Sequence, residues 1–126
     1  NNEEEGKILK DINKAEQNEI KAYVKSITRK CLDDVGIKLK LKGYDYLVEE
    51  IIARIEDPSC KLYLSAAQKY SEPYYNVNIN IKNAKIKAFK KESQTELLKN
   101  LFQTYSEIPS NKEFINVLAC YVEETM

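Results

Sequence analysis

Apolar residues recur every three or four positions over residues 20–35, which is typical of one buried face of an amphipathic helix. This stripe consists of Ile20, Val24, Ile27, Cys31 and Val35. Gly36 follows, at the position where a helix commonly ends in a left-handed conformation. A weaker upstream stripe, which does not line up with the first, consists of Ile8, Ile12 and Ala15. We therefore expect residues 1–19 to form a linker or N-terminal extension, partly helical, ahead of a domain at 20–126.

Residues 44–55 carry a second helical pattern. Its apolar positions are Tyr44, Leu47, Val48, Ile51, Ile52 and Ile55. Gly43 precedes this helix, and Asp57-Pro58 should end it, because the residue before a proline disfavours helical backbone. Residues 37–41 alternate apolar residues with lysines but have no neighbouring strand to pair with, so we predict an extended connector.

Two further helices begin with capping-box motifs, in which a serine precedes a glutamate by three residues. The motifs are Ser93-Gln94-Thr95-Glu96 and Ser110-Asn111-Lys112-Glu113, and each is followed by an apolar stripe. In each motif the serine oxygen can accept from an early backbone N–H while the glutamate reaches back. Pro109 marks the break between the two helices.

The segment 75–89 is ambiguous. Val77, Ile79 and Ile81 alternate strictly with polar residues, and this local pattern favours a β-hairpin with its turn at residues 82–85. A helix is the alternative, with Ser71 as its cap and Pro73 in its first turn. Its apolar stripe would consist of Val77, Ile81, Ala84 and Ala88. Periodicity leaves both interpretations open.

The charge pattern is uneven although the net charge is zero. Residues 1–20 and 101–126 are acidic, whereas residues 21–42 and 82–91 are rich in lysine and arginine. A local positive field matters more for a polyanionic partner than the total charge does. The ordinary interpretation of such a run, a solvated helix face, stays open at this point.

The chemistry of the chain argues against an enzyme. It contains no histidine for general acid–base catalysis, and its three glycines form no phosphate-binding loop. Cys31, Cys60 and Cys120 have neither metal-ligand spacing nor a histidine base, so we expect buried, reduced thiols. We expect no catalytic residues, no cofactor and no metal. Without a long apolar run or a signal peptide, we expect a cytoplasmic protein that is not in the membrane.

Two short runs carry a resemblance to a known family. They are LKGYDYL at residues 41–47 and PSNKEFI at residues 109–115, and their occurrence in this order makes the pair specific. Weaker similarity lies at Leu62-Tyr63, at residues 67–70, and at three positions of the ambiguous segment. Over roughly residues 26–122 the chain resembles the C-terminal effector domain of the stage zero sporulation protein A response regulators.

The resemblance implies an all-α fold, a single compact bundle of about six helices that contains a helix-turn-helix. Residues 62–70 would be the first helix of the pair and residues 74–91 the recognition helix, which favours the helical alternative for this segment. Tyr44 and Tyr46 would then pack in the core.

Several residues can be checked against the requirements of a helix-turn-helix. Ala67 would be the small residue at the contact between the two helices, with Tyr70 buried beside it and Val77 packing the second helix onto the first. Asn80 falls where an apolar residue normally points inward, and residues 71–73 replace the usual glycine-containing turn. A buried asparagine without partners would cost on the order of 1–3 kcal/mol.

The resemblance also implies a DNA-binding domain of a transcription regulator. Its partners would be double-stranded DNA, a second copy of the chain or a related regulator, and an N-terminal receiver domain outside this chain. The base-reading candidates are Tyr75, Asn76, Asn78, Ile79, Lys82 and Asn83. The phosphate-binding candidates are Lys69, Lys85, Lys87, Lys90 and Lys91.

The base readout should differ from that of the family. The family's recognition helix carries arginines and a glutamate at the positions that align with Asn76, Asn78, Ile79 and Lys82; none of the arginines is kept here, and Lys82 alone keeps the charge. Arginine pairs with guanine, whereas asparagine pairs with adenine. We therefore expect either a preference for A·T-rich sites or a loss of specific DNA binding. The alternative function is a protein-interaction module on the same fold.

Overall fold

The computed structural model describes residues 2–126, and this part of the chain contains helices and no strands. The helices are α1 (Asn2–Asp34), α2 (Lys42–Glu56), α3 (Leu64–Tyr70), α4 (Tyr74–Ala88), α5 (Glu96–Leu101) and α6 (Asn111–Thr125). The prediction of an all-α bundle with about six helices is confirmed. The hairpin considered for residues 75–89 is excluded, because they lie in α4 and the turn after it.

Helix α2 lies at the centre of the bundle and contacts α1, α3, α4 and α6. Its buried side chains include Tyr44, Leu47, Val48 and Ile51, which are at most 2% exposed. Tyr46 is buried as well, so both tyrosines of the LKGYDYL run pack in the core as expected. The predicted apolar face of this helix is therefore the face around which the other helices assemble.

Gly43 is the point of closest approach between α2 and α4. A Cβ atom at this position would lie 2.7 Å from the Cβ atom of Ala84 and would also press on the Asn80 carbonyl oxygen. The glycine of the LKGYDYL run therefore lets α2 begin directly against the backbone of α4. Asn80 is half-buried there, and its Nδ2 donates to the Asn76 carbonyl at 2.7 Å, which supplies the partner that an inward-facing asparagine needs.

Helix α1 is a single helix that crosses the predicted boundary at residue 19 without a break. Residues 2–23 are exposed except for the half-buried Gly6, and burial in the core begins only near Ile27 and Thr28. The predicted stripe is correct at Cys31 and Val35, which are buried, and wrong at Ile20, which is 61% exposed.

The capping predictions are partly confirmed. Ser110 forms the full capping box of α6 with Glu113, as expected. Helix α5 instead begins after Thr95, whose hydroxyl accepts from the Leu98 N–H at 3.2 Å, so the prediction that Ser93 opens this helix is wrong. Gly36 adopts a φ of +88°, which confirms the left-handed end of α1.

The remaining features concern the connector, the cysteines and membrane crossing. Residues 37–41 contain a turn closed by the Leu41 N–H and the Lys38 carbonyl, rather than a fully extended strand.

Cys31 is buried, but Cys60 is half-buried and Cys120 is exposed, so the expectation of three buried thiols is only partly correct. Among the helices of residues 2–126, none has both the length and the apolar character needed to cross a membrane.

Candidate nucleic-acid interface

Helices α3 and α4 form the predicted pair, joined by a tight turn at residues 71–73. Ser71 adopts a left-handed conformation with φ 52° and ψ 47°, at the place where such a turn usually has glycine. The N–H groups of Ser71 and Glu72 both donate to the Ala67 carbonyl, which closes the end of α3. Serine therefore takes the role of the missing glycine at the cost of backbone strain.

The contact between the two helices follows the prediction at two of three positions. Ala67 and Val77 are buried at the interface. Tyr70, which we expected to be buried, is 38% exposed. Its ring instead lies 5.4 Å from that of the buried Tyr46, and it covers the edge of the core.

A buried carboxylate fixes the start of α3. Glu50 of α2 is 2% exposed, and its two oxygens accept from the backbone N–H groups of Tyr63 (2.5 Å) and Ala66 (3.0 Å). These are N–H groups that a helix leaves without internal partners, and the residue before α3, Tyr63, has a left-handed backbone and offers no side-chain cap. Burial raises the pKa of the Glu50 carboxyl above its ordinary value, against the two hydrogen bonds that lower it.

A three-residue hydrogen-bond network joins α4 to the start of α6. Asn111 is 8% exposed, and its Nδ2 lies within 3.1 Å of the Asn78 side-chain oxygen, the Asn78 carbonyl and the Tyr63 hydroxyl. The Tyr63 hydroxyl in turn donates to the Asn78 side-chain oxygen at 2.7 Å. The network holds α4 at a defined rotation about its own axis relative to α3 and α6.

Sequence reasoning missed the roles of Glu50, Tyr63 and Asn111. Glu50 follows Leu47 by three positions and precedes Ile51, so its spacing does place it on the apolar face of α2. Asn111 and Tyr63 lie within runs that carried the family resemblance. A polar residue on an apolar stripe was the available signal, and it marks a buried polar contact here.

The outer face of α4 carries most of the predicted base-reading residues. Tyr75 is 72% exposed, Lys82 and Asn83 are exposed, and Ile79 is half-buried between them. At 100° per residue, positions 75, 79 and 82 lie within an arc of about 60° opposite the buried stripe. These side chains are the accessible part of the helix that a partner would meet.

Two of the base-reading candidates are engaged inside the molecule. The Asn76 Nδ2 donates to a Glu72 carboxylate oxygen at 2.9 Å. The Asn78 side-chain oxygen accepts from both Tyr63 and Asn111. Bidentate pairing with adenine uses both the oxygen and the amino group of an asparagine. The Asn78 side chain cannot make that contact while these hydrogen bonds persist, and Asn76 has only one N–H of its amino group left for it.

The predicted phosphate-binding lysines divide into three kinds. Lys85 is 4% exposed, and its ammonium donates to the Pro109 carbonyl at 2.7 Å. Burial lowers its pKa, and the charge of Lys82 lowers it further. This placement corrects the expectation for Lys85, because an ammonium inside the bundle cannot reach a phosphate. Lys69 forms an ion pair with Glu49. The third kind, exposed at the end of α4 and in the following turn, comprises Lys87, Lys90 and Lys91.

Helix α4 is shorter than the helix predicted for residues 74–91, since it ends at Ala88. Phe89 follows, and its ring packs edge-on against those of Phe102 and Phe114 at 5.4 and 5.9 Å. These three rings anchor the end of α4 to the C-terminal half of the bundle. Lys90 and Lys91 therefore lie in a turn whose position is fixed.

Comparison with known proteins agrees with this geometry. The family model described as the C terminal of sporulation initiation factor Spo0A matches residues 28–122, which is most of the chain. A comparison with curated proteins finds no match. The matched range begins where α1 enters the core and ends at the last buried residue of α6, so it contains α2–α6 and the part of α1 that packs against them. The chain belongs to the family of C-terminal domains of sporulation initiation factor Spo0A, which are DNA-binding regulatory domains.

Proposed function

We propose that the chain binds double-stranded DNA by placing the outer face of α4 in the major groove, as the second helix of a helix-turn-helix does. The observation that carries the proposal is the accessibility of Tyr75, Ile79, Lys82 and Asn83 on that face. Helix α3 would then lie across the DNA backbone, and the bundle around α2 would hold the pair at a fixed angle.

The accessible side chains support altered base readout. Ile79 offers an apolar surface to a thymine methyl group, and Asn83 can pair with adenine. The side-chain amide of Asn83 has no hydrogen-bond partner among the described residues that would compete with this contact. Lys82 can contact either a base edge or a phosphate. We therefore propose a preference for A·T-rich sequence, centred on Ile79 and Asn83 rather than on Asn76 and Asn78.

Phosphate contacts would come from the exposed lysines around the end of α4. Lys87, Lys90 and Lys91 are free of the ion pairing that engages Lys69, and together they form a short basic ridge. Such contacts are independent of sequence and release counterions, so the affinity should fall steeply with salt. Lys85 takes no part in this ridge because its ammonium bonds to Pro109 inside the bundle.

Fluorescence anisotropy with A·T-rich and G·C-rich duplexes across a salt series tests the proposal. We expect Lys82→Ala to weaken binding about 10-fold and to reduce the salt slope by about 1. Asn83→Ala should reduce the A·T preference by about 1–3 kcal/mol. The matched control is Lys38→Ala, an exposed lysine in the connector between α1 and α2. Absence of binding to either duplex at low salt would refute the proposal.

A second candidate is a protein-interaction domain on the same fold. It is supported by the internal engagement of Asn76 and Asn78 and by the ion pair between Lys69 and Glu49, which reduce the groups available to DNA. In this case the exposed face with Tyr75 and Ile79 would contact a protein surface. Binding to a related regulator that is lost in Tyr75→Ala, together with salt-insensitive DNA affinity, would favour this candidate.

A further inference from the structure

Helix α4 carries two isoleucines on its outer face, Ile79 and Ile86, which we call the outer isoleucines. They are seven residues apart, so at 100° per residue they lie within about 20° of each other around the helix. The buried residues Val77, Ile81 and Ala84 lie about 150–170° away from this line. Both outer isoleucines are half-buried, but among the described residues neither belongs to the half-buried apolar side chains that pack against the core.

Two exposed polar residues lie on either side of the outer isoleucines. Lys82 and Asn83 lie about 50° to opposite sides of the line that joins Ile79 to Ile86. The four positions 79, 82, 83 and 86 therefore have the spacing i, i+3, i+4 and i+7. Homeodomains read bases in the major groove with four residues of one helix at this same spacing. The outer face of α4 thus has the arrangement of a helix that lies along the groove.

An isoleucine side chain has one favourable partner among the base edges of the major groove. This partner is the C5-methyl group of thymine, because the other groups that distinguish the bases there donate or accept hydrogen bonds. Contact between the methyl group and the isoleucine removes apolar surface of both from water. A base amino or carbonyl group against the isoleucine would lose water without gaining a hydrogen bond. An isoleucine at a base edge therefore selects thymine.

The charges near Ile86 favour a polyanionic partner over a protein surface. Lys87, Lys90 and Lys91 are exposed and follow Ile86 closely, and residues 82–91 contain no acid. Lys87 lies about 90° from the line of the outer isoleucines, on the same side as Asn83. An apolar strip with lysines beside it matches a groove whose floor carries methyl groups and whose edges carry phosphates.

We propose that Ile86 is a second base-contacting residue of α4, and that each of the outer isoleucines receives the methyl group of one thymine. This inference rests on the proposed function, because it requires the outer face of α4 to lie in the major groove. The Cα atoms of residues 79 and 86 are about 10.5 Å apart along the helix axis, and successive base pairs are about 3.4 Å apart. Because the groove runs obliquely to the DNA axis, this length covers about two to three base pairs.

Ile86 lies beyond the positions at which the family resemblance places base readout, the last of which is Lys82. A contact at Ile86 shifts the reading surface towards the C-terminal end of α4. Asn76 and Asn78, which are engaged in hydrogen bonds inside the molecule, lie at the other end of the helix. The shift therefore moves base contacts from the part of α4 that the bundle engages to the part that it leaves accessible.

Replacement of single thymines by deoxyuridine tests the proposal, because deoxyuridine lacks only the methyl group. The probe is the duplex that the native chain enriches from a random library of about 20 base pairs, a length that exceeds the span of one recognition helix. Fluorescence anisotropy then measures the affinity for each singly substituted duplex. We expect two sensitive positions, about two to three base pairs apart, at which the replacement lowers the affinity about 3- to 5-fold.

Substitutions in the chain assign each sensitive thymine to a side chain. Ile86→Ala should abolish the deoxyuridine effect at one position and keep it at the other, and Ile79→Ala should do the reverse. The matched control is Ile108→Ala, an exposed isoleucine in the segment between α5 and α6, which should keep both effects. If Ile86 only supported the fold, Ile86→Ala would weaken binding to every duplex equally and keep both effects. Equal urea unfolding transitions show that the bundle is intact.

The outcomes separate this inference from the proposed function. Duplex binding without two sensitive positions, or with both effects kept in Ile86→Ala, would overturn the role of Ile86 and leave DNA binding intact. Absence of duplex binding at low salt would refute the proposed function and this inference together. The deoxyuridine scan uses the native chain, so its result decides the matter even where a variant fails to fold.

Discussion

Replacing Glu50 with glutamine tests whether the buried carboxylate holds the start of α3. The native side chain accepts from two backbone N–H groups, and an amide of the same size keeps only one accepting oxygen. A hydrogen bond to a charged group contributes about 1.5–3 kcal/mol. Losing such a hydrogen bond lowers the stability by that amount. The neutral amide avoids part of the cost of burying a charge, which offsets about 1 kcal/mol of the lost stability. We therefore expect Glu50→Gln to lower the free energy of unfolding by about 0.5–2 kcal/mol, measured by urea denaturation.

The adjacent residue provides the control. Glu49 lies on the same helix but forms a partly exposed ion pair with Lys69. Such pairs contribute roughly 0–1 kcal/mol, so Glu49→Gln should cost about 0.5 kcal/mol or less. A loss in Glu50→Gln no larger than that of the control would refute the role assigned to Glu50.

The pH dependence of stability gives an independent test with a defined sign. Because burial raises the folded pKa of Glu50, the folded state binds more protons than the unfolded state just above pH 4.5, the ordinary value. The stability contributed by this group is thus fully present below that pH and is lost as the pH rises through the folded pKa. Glu50→Gln lacks this component, so the stability difference between native chain and variant should shrink as the pH rises. A difference that grows with pH would show that the hydrogen bonds outweigh burial.

Three other substitutions test separate features of the fold. Gly43→Ala should destabilise the bundle by about 1–3 kcal/mol, because the new methyl group would meet Ala84 and the α4 backbone; an unchanged urea midpoint would contradict this close approach. Ser71→Gly should stabilise the chain by about 0.5–1 kcal/mol by relieving the left-handed serine, and a lower thermal midpoint would argue against strain there. Lys85→Met should leave the salt dependence of DNA binding unchanged, in contrast to Lys82→Ala; a slope reduced by about 1 would place the Lys85 ammonium at the DNA.

The pattern of α4 shows what periodicity can and cannot decide. Val77 and Ile81 pack inward, whereas Ile79 lies on the outer face, and this third residue is what produced the strand-like alternation. An apolar residue on the outer face of a helix is indistinguishable from a core residue in the sequence. Periodicity offered the helix only as an alternative, the family resemblance favoured it, and helix α4 confirms it.

Burial of charged residues was harder to predict than the helices. Lys85 follows Ile81 by four positions and precedes Ala88 by three, so its spacing placed it on the buried stripe. Its charge nevertheless suggests a phosphate contact. The sequence does not reveal the actual partner of the Lys85 ammonium, because the accepting oxygen belongs to Pro109, which is distant in sequence. The error at Ile20 is the opposite one, since an apolar residue predicted to be buried is exposed. Its spacing correctly predicts a helix, but the sequence does not reveal where α1 leaves the bundle.

The network of Tyr63, Asn78 and Asn111 has a consequence for molecular recognition. A helix that could turn about its axis would have to lose this freedom on meeting a partner, and that loss weakens affinity. In this chain the orientation of α4 is already set by side chains from outside it. Substitutions at the beginning of α6 should therefore change which partner surface α4 selects, although no residue of α6 lies on its outer face. Under the proposed function, specificity would depend on the angle at which α4 is held as well as on the side chains that α4 displays.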